Sequence, residues 1–160
     1  MHAPTSLLAK YPLISDQVNR DQLGVILAEL EQALSRCDGA VVEFGCYVGT
    51  TSLFIRRLLD AHHDLRPFHV YDSFEGLPPK TVQDQSRAGE QFRAGELAVS
   101  KKQFLREFQK AALTPPIIHK GWFGNLTATD VPSQIAFAFL DGDRLAKLSH
   151  TARGVAFRLP

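Results

Sequence analysis

Apolar residues recur along this chain with two different periods, and the two alternate. Leu23, Ile26, Leu27, Leu30 and Leu34 sit at helical spacing and form one stripe. Asn19 stands where an N-cap would, and Gln22 completes a capping box. "CDGA" closes that helix. Ala40 to Phe44 then reads AVVEF, apolar except for Glu43, which suits a strand buried on both faces. A further helix is predicted over Thr50 to Ala61, with Leu53, Phe54, Leu58 and Leu59 inward and Arg56 and Arg57 outward. "HHDLRP" is a loop, and Phe68 to Tyr71 is a second strand. Ser100 with Gln103 opens another helix, its core face Phe104, Leu105, Phe108 and Ala112, stopped by Pro115 and Pro116. Ile117 to Lys120 and Ile135 to Leu140 read as the third and fourth strands, and "GVAFRLP" is compatible with a short fifth.

Strands alternating with helices predict an α/β fold built on a parallel sheet. The length of 160 residues fits one domain over 1–160. Residues 1–18 are expected to form an N-terminal extension. The polar, proline- and glycine-bearing stretch 78–99 is long for a connection and reads as a loop or lid.

Composition narrows the function classes. Apolar residues make up 44% and charged residues 22%, ordinary values for a globular protein. A net charge of +1 gives no basic field for nucleic acid. Cys37 and Cys46 are too few for a disulfide framework or a zinc cluster. No signal peptide is evident, and no run approaches the ~20 apolar residues of a membrane helix. The default expectation is a cytoplasmic protein without nucleic-acid or membrane partners.

Three predicted strand ends carry polar residues: "EFG", "YDSFEG" and "LDGD". In open α/β sheets ligands bind outside the carboxyl ends of the strands. The turn reads Glu43-x-Gly45-x-x-x-Gly49. Tyr47 stands where a dinucleotide fold has its middle glycine, which argues against a pyrophosphate. An acid before the first glycine suits an ammonium group, and the N-terminus of the Thr50 helix suits a carboxylate. Asp72, at the next strand end, is placed to accept both ribose hydroxyls. Together these describe a nucleoside joined to an amino acid, S-adenosylmethionine. Each element also has a bland reading: the glycine turn is common, Glu43 suits a helix cap or an arginine partner, and Asp72 suits a loop cap. The weight lies in their coincidence. Asp141 and Asp143 flank Gly142, so two carboxylates approach one point, as Mg²⁺ prefers; Asp-Gly is equally plain turn chemistry. His69, inside a strand, reads as packed or paired. His119, at a strand end, is within reach of a cofactor edge. His62 and His63 read as solvated.

"VVEFGCYVGTTS", "VYDSFEGLPPK", "HKGWFGNL" and "FAFLDGD", in this order, resemble the macrocin O-methyltransferase family over about Asp21 to Asp143. The resemblance implies a Rossmann-like class I methyltransferase fold acting on hydroxyls of sugars and natural products with S-adenosylmethionine. It implies that Glu43, Phe44, Gly45, Cys46 and Tyr47 contact the methionine part, with Gly49 in the same turn. Asp72, Ser73, Phe74, Glu75 and Gly76 would hold ribose and adenine, and Gly121 and Trp122 would border the adenine. Packing in the core or at its rim is the other reading of Trp122, the one tryptophan. Asp141 joins the cofactor set, and Asp143 is the implied catalytic residue and Mg²⁺ ligand.

After Asp143 the chain departs from the family pattern, which continues with further strands and a paired acidic motif. The expectation is therefore an incomplete parallel sheet with flanking helices, from a truncated or frameshifted frame, and weak or no methyl transfer. Competing readings are a non-catalytic remnant that binds cofactor or a partner, with possible self-association through an open sheet edge, and a nucleotide-dependent oxidoreductase, disfavoured by Tyr47.

Overall fold

The structure, a computed structural model, describes residues 3–76 and 98–141. Its elements run α1 (Ala3–Lys10), α2 (Arg20–Arg36), β1 (Ala40–Phe44), α3 (Thr50–Ala61), β2 (Phe68–Asp72), α4 (Lys101–Lys110), β3 (Ile117–Lys120) and β4 (Ile135–Leu140), with a short 3₁₀ turn at Phe123–Asn125. The four strands form one parallel sheet in the order β3-β2-β1-β4. The chain moves outward from β1 to β2 to β3, then returns to the far side of β1. That reversal makes a topological switch point between β1 and β4.

Local sequence explains the helix starts. The Asn19 side chain accepts from the Gln22 N–H at 2.9 Å, and Gln22 Oε1 accepts from the Asn19 N–H at 3.0 Å. Ser100 and Gln103 repeat the arrangement at α4. Asn19→Ala should lower stability by about 0.5–2 kcal/mol, read as a lower urea midpoint. An unchanged midpoint would show that the box contributes nothing.

Register decides what each strand face meets. Successive side chains alternate between faces. Val41, Val70, Ile118 and Phe137 join one core with Leu23, Leu27 and Leu30 of α2, Phe54, Ile55 and Leu58 of α3, and Phe104 and Phe108 of α4. Val42, Phe44 and Tyr71 face the other way, against Phe123, Leu126 and Val131 from the β3–β4 connection. Among the described residues, then, the long helices cover one face and a connecting segment covers part of the other. All five β1 residues are buried, as a central strand requires.

Several readings need correction or addition. The fourth helix stops at Lys110, not at the prolines. Ala112 is exposed in a left-handed conformation (φ 53°) and belongs to the exit turn, while Leu105 is only half-buried. Arg56 and Arg57 are half-buried: Arg56 pairs with Asp60 at 2.8 Å, and the Arg57 guanidinium lies 3.9 Å from the Tyr11 ring centre. His62 is paired with Glu31 at 3.0 Å. The segment 1–18 carries helix α1, whose Leu7 and Leu8 pack on the main core. Residues 78–97 of the long polar stretch, "GVAFRLP" and Asp143 lie outside the described residues.

Candidate functional site

The carboxyl ends of β1, β2 and β4 converge, and the sheet ladder runs on into their loops. Gly45 donates its N–H to Tyr71 O at 2.9 Å, Gly121 to Asp72 O at 2.9 Å, and Asp141 to Phe44 O at 2.8 Å. These bonds tie the exits of β1, β3 and β4 to the ends of the neighbouring strands.

The β1–α3 turn alternates in handedness. Gly45 (φ 84°), Tyr47 (φ 48°) and Gly49 (φ 98°) are all left-handed. A tyrosine there is uncommon, and such conformations persist only where surroundings impose them. Gly49 is also required by packing, because a side-chain Cβ would lie 2.9 Å from the Phe104 ring. As N-cap of α3, Gly49 offers no side-chain acceptor, so the first N–H groups of α3 lack a side-chain cap.

Glu43, the penultimate residue of β1 and two residues before Gly45, is 1% exposed. Its Oε2 accepts from Ser52 Oγ at 2.5 Å, while Oε1 has no hydrogen-bond partner among the described residues. Burial pushes the Glu43 carboxyl up to about 8; the Ser52 bond opposes the shift, and the nearby carboxylates of Asp141 and Asp72 reinforce it. Ser52 was not singled out in the sequence. Its position three residues into α3, facing β1, is a tertiary fact. Cys46 is buried, and burial with the Asp72 and Glu43 charges pushes its thiol up, so it is a neutral, inert group.

Asp72 ties the turn to the β2 exit. Its Oδ2 accepts from Cys46 N–H at 2.8 Å and its Oδ1 from Phe74 N–H at 2.7 Å. The exit itself is tight: Phe74 (φ 55°) and Gly76 (φ 77°) are left-handed, and Ser73 Oγ accepts from Glu75 N–H at 3.2 Å. The Phe74 ring turns into the core against Phe104, with centroids 5.8 Å apart, so only its backbone borders the site. Glu75 is exposed and pairs loosely with Lys120 at 3.6 Å. The Phe44 ring likewise leaves the site to stack on Tyr71 at 4.7 Å. Trp122 is half-buried beside Gly121, and among the described residues nothing lies within 4 Å of where a Gly121 side chain would project. Asp141 is exposed at the β4 end.

The second sheet face carries an aromatic ladder that sequence reading did not assemble. His119 stacks on Tyr71 at 4.3 Å, and His69 Nδ1 lies 3.0 Å from His119 Nε2. Tyr71 donates its hydroxyl to Asp130 O at 2.7 Å. Burial lowers both imidazoles, so the pair is held neutral near pH 7. His69 is thus packed and paired, and His119, near the end of β3, stacks on Tyr71.

These features occur in a sequence that matches the macrocin-O-methyltransferase (TylF) family profile over residues 17–152. The chain belongs to this family. A family relative from Streptomyces olivaceus, 8-demethyl-8-(2,3-dimethoxy-alpha-L-rhamnosyl)-tetracenomycin-C 4'-O-methyltransferase, is 33% identical over 112 residues, covering 66% of this chain and 42% of the relative. The solved O-methyltransferase NovP superposes with a TM-score of 0.72 at 26% identity, over 84% of this chain and 61% of NovP. A calicheamicin methyltransferase superposes with a TM-score of 0.65 at 20% identity, over 94% of this chain and 70% of its own, which bears on fold alone. The macrocin-O-methyltransferase family member described here therefore has the class I methyltransferase α/β fold, and it spans under half of the curated relative.

Proposed function

We propose that this chain carries the cofactor-binding part of an O-methyltransferase that uses S-adenosylmethionine to methylate a hydroxyl of a sugar or related natural product. The observation that carries the reading is the unmet Oε1 of Glu43, a buried acceptor at the switch point of the sheet. A buried polar atom without a partner is costly unless a ligand supplies one. The ammonium of an amino-acid moiety is such a partner. The uncapped start of α3 offers N–H donors and a positive dipole end to the neighbouring carboxylate. Asp72 has one backbone donor on each oxygen and keeps further lone pairs for ribose hydroxyls. Gly45, Cys46, Tyr47 and Gly49 shape the floor with backbone rather than side chains. Ser73, Phe74, Glu75 and Gly76 form one wall, Gly121 and Trp122 the adenine side, and Asp141 the β4 edge.

When bound, the cofactor supplies an activated methyl group. The residues named here bind and orient it and exclude water beneath it. Transfer then depends mainly on proximity and alignment with the acceptor. Asp143, the residue that the family resemblance gives to Mg²⁺, lies outside the described residues, so no step is derived through the ion. Among the described residues no group of three or more histidine, cysteine, aspartate or glutamate side chains is placed to hold a metal ion. Among them, too, no helix is long and apolar enough to cross a membrane.

Titration calorimetry of the purified chain tests the reading. S-adenosylhomocysteine should bind at one site, and NAD should not. Binding of NAD without S-adenosylhomocysteine would overturn it. Gly45→Val should abolish binding, because a β-branched residue is a strong outlier in the left-handed region that Gly45 occupies. Normal binding by that variant would remove the turn from the site.

A further inference from the structure

We propose that Glu43 is a proton-coupled receptor, a neutral acid in the ligand-free protein that releases its proton to solvent when a primary ammonium engages Oε1. The inference rests on the cofactor reading above and deepens it.

Geometry comes first. Glu43 is 1% exposed, its Oε2 is held by Ser52 Oγ, and Oε1 has no partner among the described residues. The groups that act on it from each neighbouring element are Ser52 of α3, the Cys46 thiol of the turn, Asp72 at the end of β2 and Asp141 after β4. Among the described residues all the charged ones are acidic. A bare carboxylate there has no counter-charge among them, so protonation is the way this site is neutralised. A ligand ammonium reverses the preference by supplying the missing positive charge. The balance is simple. The carboxylic acid and the ammonium become a carboxylate–ammonium pair, and one proton goes to water.

The sign of the pH dependence follows. The folded-state carboxyl titrates at about 8, well above its ordinary value of 4.5. Below about 8, ligand binding must expel a proton, so affinity should rise about tenfold for each pH unit. In the ligand-free chain the same group makes the fold less stable as pH rises from the ordinary carboxylate range towards 8, because only the unfolded chain ionises freely there.

The test uses the purified chain in two arms. Carboxyl-labelled glutamate followed by carbon NMR should show one side chain titrating near pH 8, absent in Glu43→Gln. A Glu43 carboxyl ionised by pH 6 would overturn the proposal. Calorimetry with S-adenosylhomocysteine at pH 7, in buffers of different ionisation enthalpy, should show close to one proton released, and Glu43→Gln should abolish the release. Binding without proton release overturns the coupling alone. No binding by the folded chain overturns the cofactor reading and the coupling with it. Should Glu43→Gln fail to fold, Ser52→Ala serves, since losing that bond should raise the Glu43 midpoint further; an unchanged or lower midpoint counts against the assignment.

Discussion

Replacing Phe104 by alanine should destabilise the chain by about 3–5 kcal/mol, the usual cost of deleting a fully buried aromatic ring. Phe104 is 0% exposed and touches both Phe74 and Phe108, with ring centroids at 5.8 and 5.1 Å. It also lies against Gly49, so its loss is felt in the turn. Gly49→Ala in the wild-type chain meets two obstacles. The left-handed backbone costs about 1–2 kcal/mol for any side chain, and overlap with the Phe104 ring adds about 1–3 kcal/mol. Only the second disappears when the ring is absent. A double-mutant cycle by urea unfolding should therefore give a favourable coupling of about 1 kcal/mol or more between the two changes. Strict additivity would mean that the ring moves aside freely and that Gly49 is demanded by backbone conformation alone.

That pair marks where sequence reading stopped. The glycines were visible as a pattern, and so was the inward position of Phe104. Nothing in the sequence brings together a turn residue and a helix residue that have α3 and β2 between them along the chain. The capping boxes at Asn19 and Ser100 were legible because both partners lie within one turn of helix. The strands were legible because β1 is apolar throughout apart from Glu43 and its neighbours are short runs between turn signals. Helix α1 was not, because only Pro4 of its eight residues is buried and its hold on the fold comes from Leu7, Leu8 and Tyr11 packing on other elements. The left-handed Tyr47 was equally hidden, since no residue type announces that conformation except glycine.

The same division runs through the site. Which strand ends carry acids could be read directly. The partners of those acids could not. Glu43 meets Ser52 because strand and helix cross there, and Asp72 meets Cys46 because β2 lies beside β1 in one register. The histidines show it most plainly. His69 and His119 are far apart in sequence, yet the β2–β3 pairing sets His119 opposite Tyr71 and within a hydrogen bond of His69.

Asp72→Ala should lower both stability and cofactor affinity, and the two losses separate its two roles. Two backbone N–H groups, of Cys46 and Phe74, lose their acceptor. A hydrogen bond to a charged group contributes about 1.5–3 kcal/mol. Because Asp72 is only partly buried, water recovers some of this, and a loss of about 2–4 kcal/mol of stability is expected. Affinity for S-adenosylhomocysteine should fall by at least another about 1.5 kcal/mol if the carboxylate also holds the ribose. An unchanged urea midpoint would show that the tie between turn and β2 exit is energetically idle. Unchanged affinity in a folded variant would remove Asp72 from the ribose site. Asp72→Asn sharpens the comparison. It keeps one acceptor oxygen and the side-chain volume, so it should retain about half the stability that alanine loses. It also removes a negative charge that helps to raise the Glu43 carboxyl, so the Glu43 midpoint should move down from about 8. A midpoint that stays in place would mean that the Asp72 charge has no part in holding the Glu43 proton, leaving burial and Asp141 to raise it.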